Sequence, residues 1–169
     1  MILLLRHLLA IALLPFTVVV LVPYWIARRY GVAPALGGSA GPVSVQAAGL
    51  ILLGVGLVLL VSSVARFAGE GRGTLAPWDP PRAFVVRGPY RFVRNPMISG
   101  VFMLLFGEAF ALLSAYHLGW AFSFVALNLA YIPLVEEPQL RRRFGGAYLE
   151  YCRHVRRFVP RLKPWRQAP

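Results

Sequence analysis

MISGVFMLLFGEAFALLSAYHLGWAFSFVALNLAYIPLV, residues Met97 to Val135, decides the fold. Its sole carboxylate is Glu108, and its long apolar runs are interrupted by Tyr116, His117, Leu118 and Gly119. An interruption that short joins an antiparallel helical hairpin. The stretch therefore reads as two spanning helices, about 97–115 and about 119–135, each near the lower length limit for crossing hydrocarbon.

Upstream, residues from about 2 to 26 are almost wholly apolar, long enough for a span. A signal peptide is the rival reading. Its apolar region would be shorter and followed by a small-residue cleavage site, whereas this run passes through Pro23, Tyr24 and Trp25 into Arg28 and Arg29, as an interfacial belt does. A Gly/Pro/Ala/Ser-rich loop, Gly31 to Pro42, leads to another span, about 44–65, in which Gly49 and either Gly54 or Gly56 can admit a close helix neighbour.

The 169 residues are 58% hydrophobic with net charge +12, and mean hydropathy is +0.64. That composition describes an all-α integral membrane protein of one domain, with about four transmembrane helices. Its 18 basic residues are unevenly spread, with six from Arg66 to Arg94 and nine from Arg141 to Arg166. Basic segments flanking apolar spans follow the positive-inside rule and suit anionic lipid, so nucleic acid is not expected as a partner. Four spans put both termini on one side, and the basic excess assigns that side to the cytoplasm. Cys152 is the one cysteine, which excludes an intrachain disulfide, and no His/Cys/carboxylate spacing indicates a metal site.

Two cytoplasmic segments flank the hairpin. The connection 69–96 carries Gly69, Gly71, Gly73, Pro77, Pro80, Pro81, Gly88, Pro89 and Pro96, a shaped loop rather than a helix, with Trp78, Phe84, Tyr90 and Phe92 interleaved. The tail 136–158 opens on Glu136 and Glu137. In it Leu140, Phe144, Ala147, Tyr148, Tyr151 and Val155 form a helical stripe opposite Arg141 to Arg143, an amphipathic interfacial helix bent near Gly145 and Gly146. Carboxylates are disfavoured beside anionic lipid unless they bind something: a cationic or diol-bearing ligand, or Arg91, Arg94 or Arg141.

The run GRGTLAPWDPPRAFVVRGPYRFVRNPMISG, followed one hairpin later by EEPQLRRRFGGAYLEYCRHV, closely resembles the isoprenylcysteine carboxyl methyltransferase and phospholipid methyltransferase superfamily, in particular its small bacterial members. The resemblance covers about residues 71–160. It implies an S-adenosylmethionine-dependent methyltransferase of the bacterial inner membrane acting at the cytoplasmic face on a lipophilic acceptor: a lipid amine, a carboxylate on an apolar tail, or a small lipophile. The family signature falls on Arg94, Asn95, Pro96 and Gly100, the Glu pair on Glu136 and Glu137, and further elements on Phe144, Gly145, Tyr148 and Tyr151. Ile98 stands where the family commonly has an aromatic. Tyr90, Arg94, Asn95, Pro96, Gly100, Glu136, Glu137, Tyr148 and Tyr151 are the expected cofactor residues. The chemistry suits them: carboxylates for a ribose diol and an ammonium, arginine for a carboxylate, tyrosine faces for adenine and sulfonium.

Glu108, together with Arg94, is the candidate catalytic residue. An ionisable group inside a span is by default functional, although Glu108 can equally be an interhelical hydrogen-bond partner, for instance of Asn128. Two rival functions stand beside this one: an NADPH-dependent enzyme like the sterol reductases, which share a related Arg/Pro/Gly run, and a non-catalytic lipid-binding protein of the same fold.

Overall fold

Glycines, more than side chains, set how the apolar helices meet. The computed structural model describes residues 12–33, 43–70 and 84–166, with side chains for 15–33, 43–66 and 84–166. The start of the first expected span, the loop after it and most of the connection, Trp78 included, lie outside the described residues. A π-wound stretch, Ala12–Leu21, continues as α1, Val22–Tyr30. Next come α2, Val43–Glu70, a 3-10 turn, Gly88–Arg91, and α3, Pro96–Ala111; α4, Ala115–Tyr131, then runs through a π-wound Ile132–Glu136 into α5, Glu137–His154. Among the described residues there is no strand, as the all-α reading requires. Two helical runs are long and apolar enough to cross a membrane, Val43–Arg66 and the continuous Ala115–His154, and α3 is a shorter apolar helix.

Helices α2 and α3 are antiparallel and touch backbone to backbone. A Cβ on Gly49 would stand 2.5 Å from Ala111 N and 2.8 Å from Gly107 O, and one on Gly56 would stand 2.9 Å from Gly100 O. From the other side, a Cβ on Gly100 would lie 2.9 Å from Leu60 N, and one on Gly107 2.9 Å from Gly49 O. Gly49 thus faces Gly107 and Gly56 faces Gly100, each pair of glycines spaced by two helical turns on its own helix. Gly54 meets nothing within 4 Å, so of the two glycines offered by the sequence it is Gly56 that serves the seam. In an apolar solvent such close approach is what holds helices together, because dispersion and not water exclusion drives their association. Gln46 Nε2 adds a hydrogen bond to the Ala111 carbonyl at 3.2 Å, satisfying one end of α3.

The hairpin turn falls at residues 112–114, earlier than the Tyr116–Gly119 interruption suggested. Ser114 explains the shift: its hydroxyl accepts from the His117 N–H at 3.4 Å and caps α4, so Tyr116 to Gly119 are already helical. His117 is buried and structural, with Nδ1 2.9 Å from Ser114 Oγ and Nε2 3.2 Å from the Pro23 carbonyl of α1. Pro23 has no N–H for the carbonyl of Val18, five residues back in the π register, and Trp120 Nε1 donates to that carbonyl instead at 3.1 Å. A neighbouring helix thereby satisfies the group that proline leaves free.

Helix α5 bends where the sequence indicated, at Gly145, whose φ of 53° and ψ of −129° suit glycine alone. Its stripe does not lie open to lipid, however. Tyr148, Tyr151 and Val155 are buried with Trp165, against Phe84, Val86, Leu140 and Phe144, while Ala147 is exposed. The stripe is covered by the chain's own connection and tail because those segments bring aromatic rings of their own: Phe84 lies 5.2 Å from Phe144 and 5.3 Å from Tyr151, and Trp165 lies 5.6 Å from Tyr151, centroid to centroid. A paired substitution tests the bend. Neither Gly145 nor Gly146 has an atom within 4 Å of an added Cβ, so only backbone strain distinguishes them. Gly145→Ala should lower stability in thermal unfolding by about 1–3 kcal/mol, and Gly146→Ala should be neutral or slightly stabilising.

Candidate active site

The 3-10 turn Gly88–Arg91 starts at a glycine with φ of 55°, where an added Cβ would stand 3.3 Å from the Arg66 side chain. That turn delivers Tyr90 into the interior. Tyr151 Oη, from α5, donates to the Tyr90 carbonyl at 2.5 Å and reaches that of Val93 at 3.5 Å, so the tail helix and the turn are pinned together. Pro96 opens α3, where its missing N–H costs nothing, and Ser99 Oγ donates to the Asn95 carbonyl at 2.9 Å.

Glu137 is the centre of the charged cluster. Arg157 grips it with two parallel bonds, Nε to Oε1 at 2.7 Å and Nη2 to Oε2 at 2.9 Å. Arg94 Nη1 lies 3.0 Å from Oε1 and Arg141 Nη2 3.9 Å from Oε2. The Glu137 side chain is 4% exposed, so this is a charge taken out of water and compensated by a fork of donors. Burial opposes its ionisation, but the Arg157 hydrogen bond and the Arg94, Arg157 and Arg141 charges prevail and hold its carboxyl below the usual range. Arg94 Nη1 also points at Cys152 Sγ, 2.8 Å away.

The neighbouring carboxylate has the opposite environment. Glu136 is half-buried and, among the described residues, takes part in no hydrogen bond or ion pair. Burial, with the charge of Glu137 second, pushes its carboxyl up to about 7. Tyr90, 9% exposed, lies within electrostatic reach of Glu136; burial first, then Tyr151 and Glu136, lifts its phenol well above the ordinary range. Tyr90 Oη and Arg94 Nε are both buried without a partner. Native interiors seldom leave such atoms unpaired, so the junction of the turn with α5 has the chemistry to take a polar ligand bearing donors and acceptors.

These shifts predict a pH dependence. Glu136 titrates higher folded than unfolded, so its contribution to stability is full below about pH 4.5 and is lost as pH rises through about 7. Glu137 titrates lower folded, so its contribution is present above about pH 4.5 and fades below it. Stability of the detergent-solubilised protein should fall by on the order of 2 kcal/mol between pH 5 and 8, and Glu136→Gln should flatten that slope. A slope unchanged in the variant would remove Glu136 as its source.

Of the expected site residues, the structure brings Tyr90, Arg94, Glu136, Glu137, Tyr148 and Tyr151 to one end of the bundle. Tyr148 and Tyr151 are 3% and 2% exposed, with their rings packed against Phe84 and Trp165 respectively. Gly100 is in the α2–α3 seam. Glu108 is along α3 away from the cluster, with Oε2 buried and unpartnered, and Asn128 Nδ2 donates to the Phe124 carbonyl rather than to Glu108. Arg91 does not pair with the Glu pair; its Nε donates to the Trp165 carbonyl at 2.8 Å. Sequence reasoning missed Arg157, which is twenty residues from Glu137 and joined to it by no periodicity. It also missed Cys152, whose place beside Arg94 carries no linear signal.

Next to the cluster an open apolar pocket of about 340 Å³ is walled by Leu59, Pro89, Phe92, Val93, Ser99, Met103, Phe158 and Pro160. Val93 separates it from Arg94 by a single residue. A charged cluster and an apolar pocket therefore share one end of the molecule. A sequence profile described as phospholipid methyltransferase matches residues 44–147, which takes in α2, the connection, the hairpin and the Glu pair. No curated protein and no solved structure gave a match.

Proposed function

The chain belongs to the phospholipid methyltransferase family, and from that premise we propose that it is a membrane-embedded S-adenosylmethionine-dependent methyltransferase acting on a lipophilic acceptor at the cytoplasmic face. In this reading the N-terminal helix, α2, α3 and α4 are four spans, and the Arg94/Glu137 end faces the cytoplasm. The observation that carries the proposal is the pair of buried, partnerless atoms Tyr90 Oη and Arg94 Nε, near Glu136, which has no ion pair among the described residues. Such a set fits a ligand that is itself part cation, part diol and part carboxylate.

When bound, S-adenosylmethionine supplies an activated methyl group. The protein's part is to hold and to exclude. Glu136 offers its carboxylate to an ammonium or a diol, Tyr90 its hydroxyl, and Arg94 its Nε–H to a carboxylate. Glu137 and Arg157 fix the Arg94 guanidinium, and Asn95, Pro96, Gly100, Tyr148 and Tyr151 form the frame that keeps these groups in place. The pocket lined by Leu59, Phe92, Met103 and Phe158 suits the apolar part of an acceptor. Holding the acceptor in a dry, oriented site accounts for most of what such a transfer needs from a protein. Glu108 lies about 18 Å of helix rise beyond Pro96 and outside the pocket lining, too far to act on an acceptor beside Arg94, so no catalytic part is proposed for it.

Calorimetric titration of the detergent-purified protein with S-adenosylmethionine, S-adenosylhomocysteine and NADPH tests the reading. The methyl donor and its product should bind and NADPH should not, and Glu136→Gln should weaken donor binding by about 1–3 kcal/mol. Binding of NADPH alone would point to a reductase; binding of none would point to a non-catalytic lipid-binding protein.

A further inference from the structure

The stripe of α5 is spent on the chain's own aromatic core, so the tail must meet the membrane elsewhere, and the segment after α5 has the features to do so. Two pairs of backbone hydrogen bonds frame it. Arg94 N donates to the Arg156 carbonyl at 2.9 Å and Asn95 N to that of Arg157 at 3.3 Å; on the return, Arg161 N donates to the Phe92 carbonyl at 2.9 Å and Trp165 N to that of Arg91 at 2.9 Å. Between these feet the chain projects as a short loop, Phe158–Val159–Pro160.

Its tip points along α3. The Phe158 ring lies 5.4 Å from that of Phe102, and Phe158 and Pro160 form one wall of the pocket with Leu59 and Met103. Phe102 is about 9 Å of helix rise beyond the start of α3 at Pro96, more than the thickness of one headgroup layer, about 5–7 Å. The loop therefore sits deeper than the charged cluster from which it departs. Its outer side is apolar and uncovered: Val159 is 55% and Leu162 99% exposed. The flanks are basic, with Arg156, Arg161, Lys163 and Arg166 and no acidic residue after Glu150. Arg161 is half-buried and its Nη1 makes no hydrogen bond among the described residues, a donor left over for an anion.

We infer that residues 158–163 form a wedge that enters the headgroup layer of the protein's own membrane, with Val159 and Leu162 at the acyl boundary and Arg161 on the phosphate of an anionic lipid. Apolar tips with long basic side chains beside them are built for that boundary, since the stems lie in the apolar zone while the charges reach the phosphates. The inference rests on the four-span reading, because depth is measured along α3. It also gives the pocket a lipid-side wall.

The test uses the full chain in nanodiscs, with nitroxide labels at Val159→Cys and Leu162→Cys, and at Ile51→Cys on α2 and Leu149→Cys on α5 for reference; the signal of the labelled parent, from Cys152, is subtracted. Ile51 is exposed and lies two residues from Gly49, which faces Gly107, so it stands further along α3 than Phe102 does. Power saturation against oxygen and a nickel chelate reads depth. Labels at 159 and 162 should be oxygen-accessible and shallow, 51 deep, and 149 aqueous. Exchanging zwitterionic for anionic lipid should deepen 162, and Arg161→Gln should abolish that shift. If 51 is deep while 159 and 162 are aqueous, or are shielded from both reagents as in a protein contact, the wedge is wrong and the spans stand. If 51 is aqueous, the spanning reading itself fails.

Discussion

Leucine at Gly49 should separate α2 from α3 and lower stability by about 3 kcal/mol or more, whereas leucine at Gly54 should change it little. The first added carbon at Gly49 would lie 2.5 Å from Ala111 N, 2.8 Å from Gly107 O and 3.0 Å from the Phe110 carbonyl carbon. All three are backbone atoms, so no rotamer change relieves the overlap and the two helices must move apart. Moving them apart opens the Gly56–Gly100 contact as well, because both lie on the same seam. Gly54 has open space and is exposed, and leucine is a better helix former than glycine. Thermal unfolding in detergent of the two variants decides it; equal midpoints would mean that the seam does not hold the helices.

Glu137→Ala is the second large effect. It leaves the Arg94 and Arg157 guanidiniums without their shared carboxylate, and Arg94 is 13% exposed. Breaking a buried pair at one partner costs about 3–5 kcal/mol, and the 33% exposure of Arg157 puts the expected loss near the lower end. Adding Arg157→Ala should recover part of it, giving a coupling of about 1–3 kcal/mol in a double-mutant cycle. Donor binding should fall with it, since Arg94 loses its anchor. A fully additive cycle would show that Glu137 and Arg157 do not act as a unit.

The two glutamates show how far a linear reading goes. That carboxylates stand where an apolar helix ends is plain from the sequence, and so is the reason to ask what they bind. Their different tasks are not, because Glu136 and Glu137 are chemically identical and adjacent; the distinction arises from Arg157, which returns to Glu137 after α5 has ended. The hairpin turn was displaced for a smaller reason. Tyr116, His117 and Gly119 look like turn residues, but Ser114 supplies the cap, and a cap outweighs the modest helix preference of the residues after it. The amphipathic stripe was legible as a stripe, but its partner was not. Periodicity shows that a face is apolar and says nothing about whether lipid or Phe84 and Trp165 cover it.

Hydropathy, charge asymmetry and the order of the two motifs are properties of the chain taken residue by residue, so the sequence by itself determined an all-helical membrane protein with a charged site at the ends of its helices. Which glycines touch, which glutamate is locked, and that the tail folds back as a loop beside Phe102 were decided by the tertiary structure alone. Those facts depend on contacts between residues far apart in the chain, where excluded volume and charge pairing act on positions in space and leave no period in the sequence.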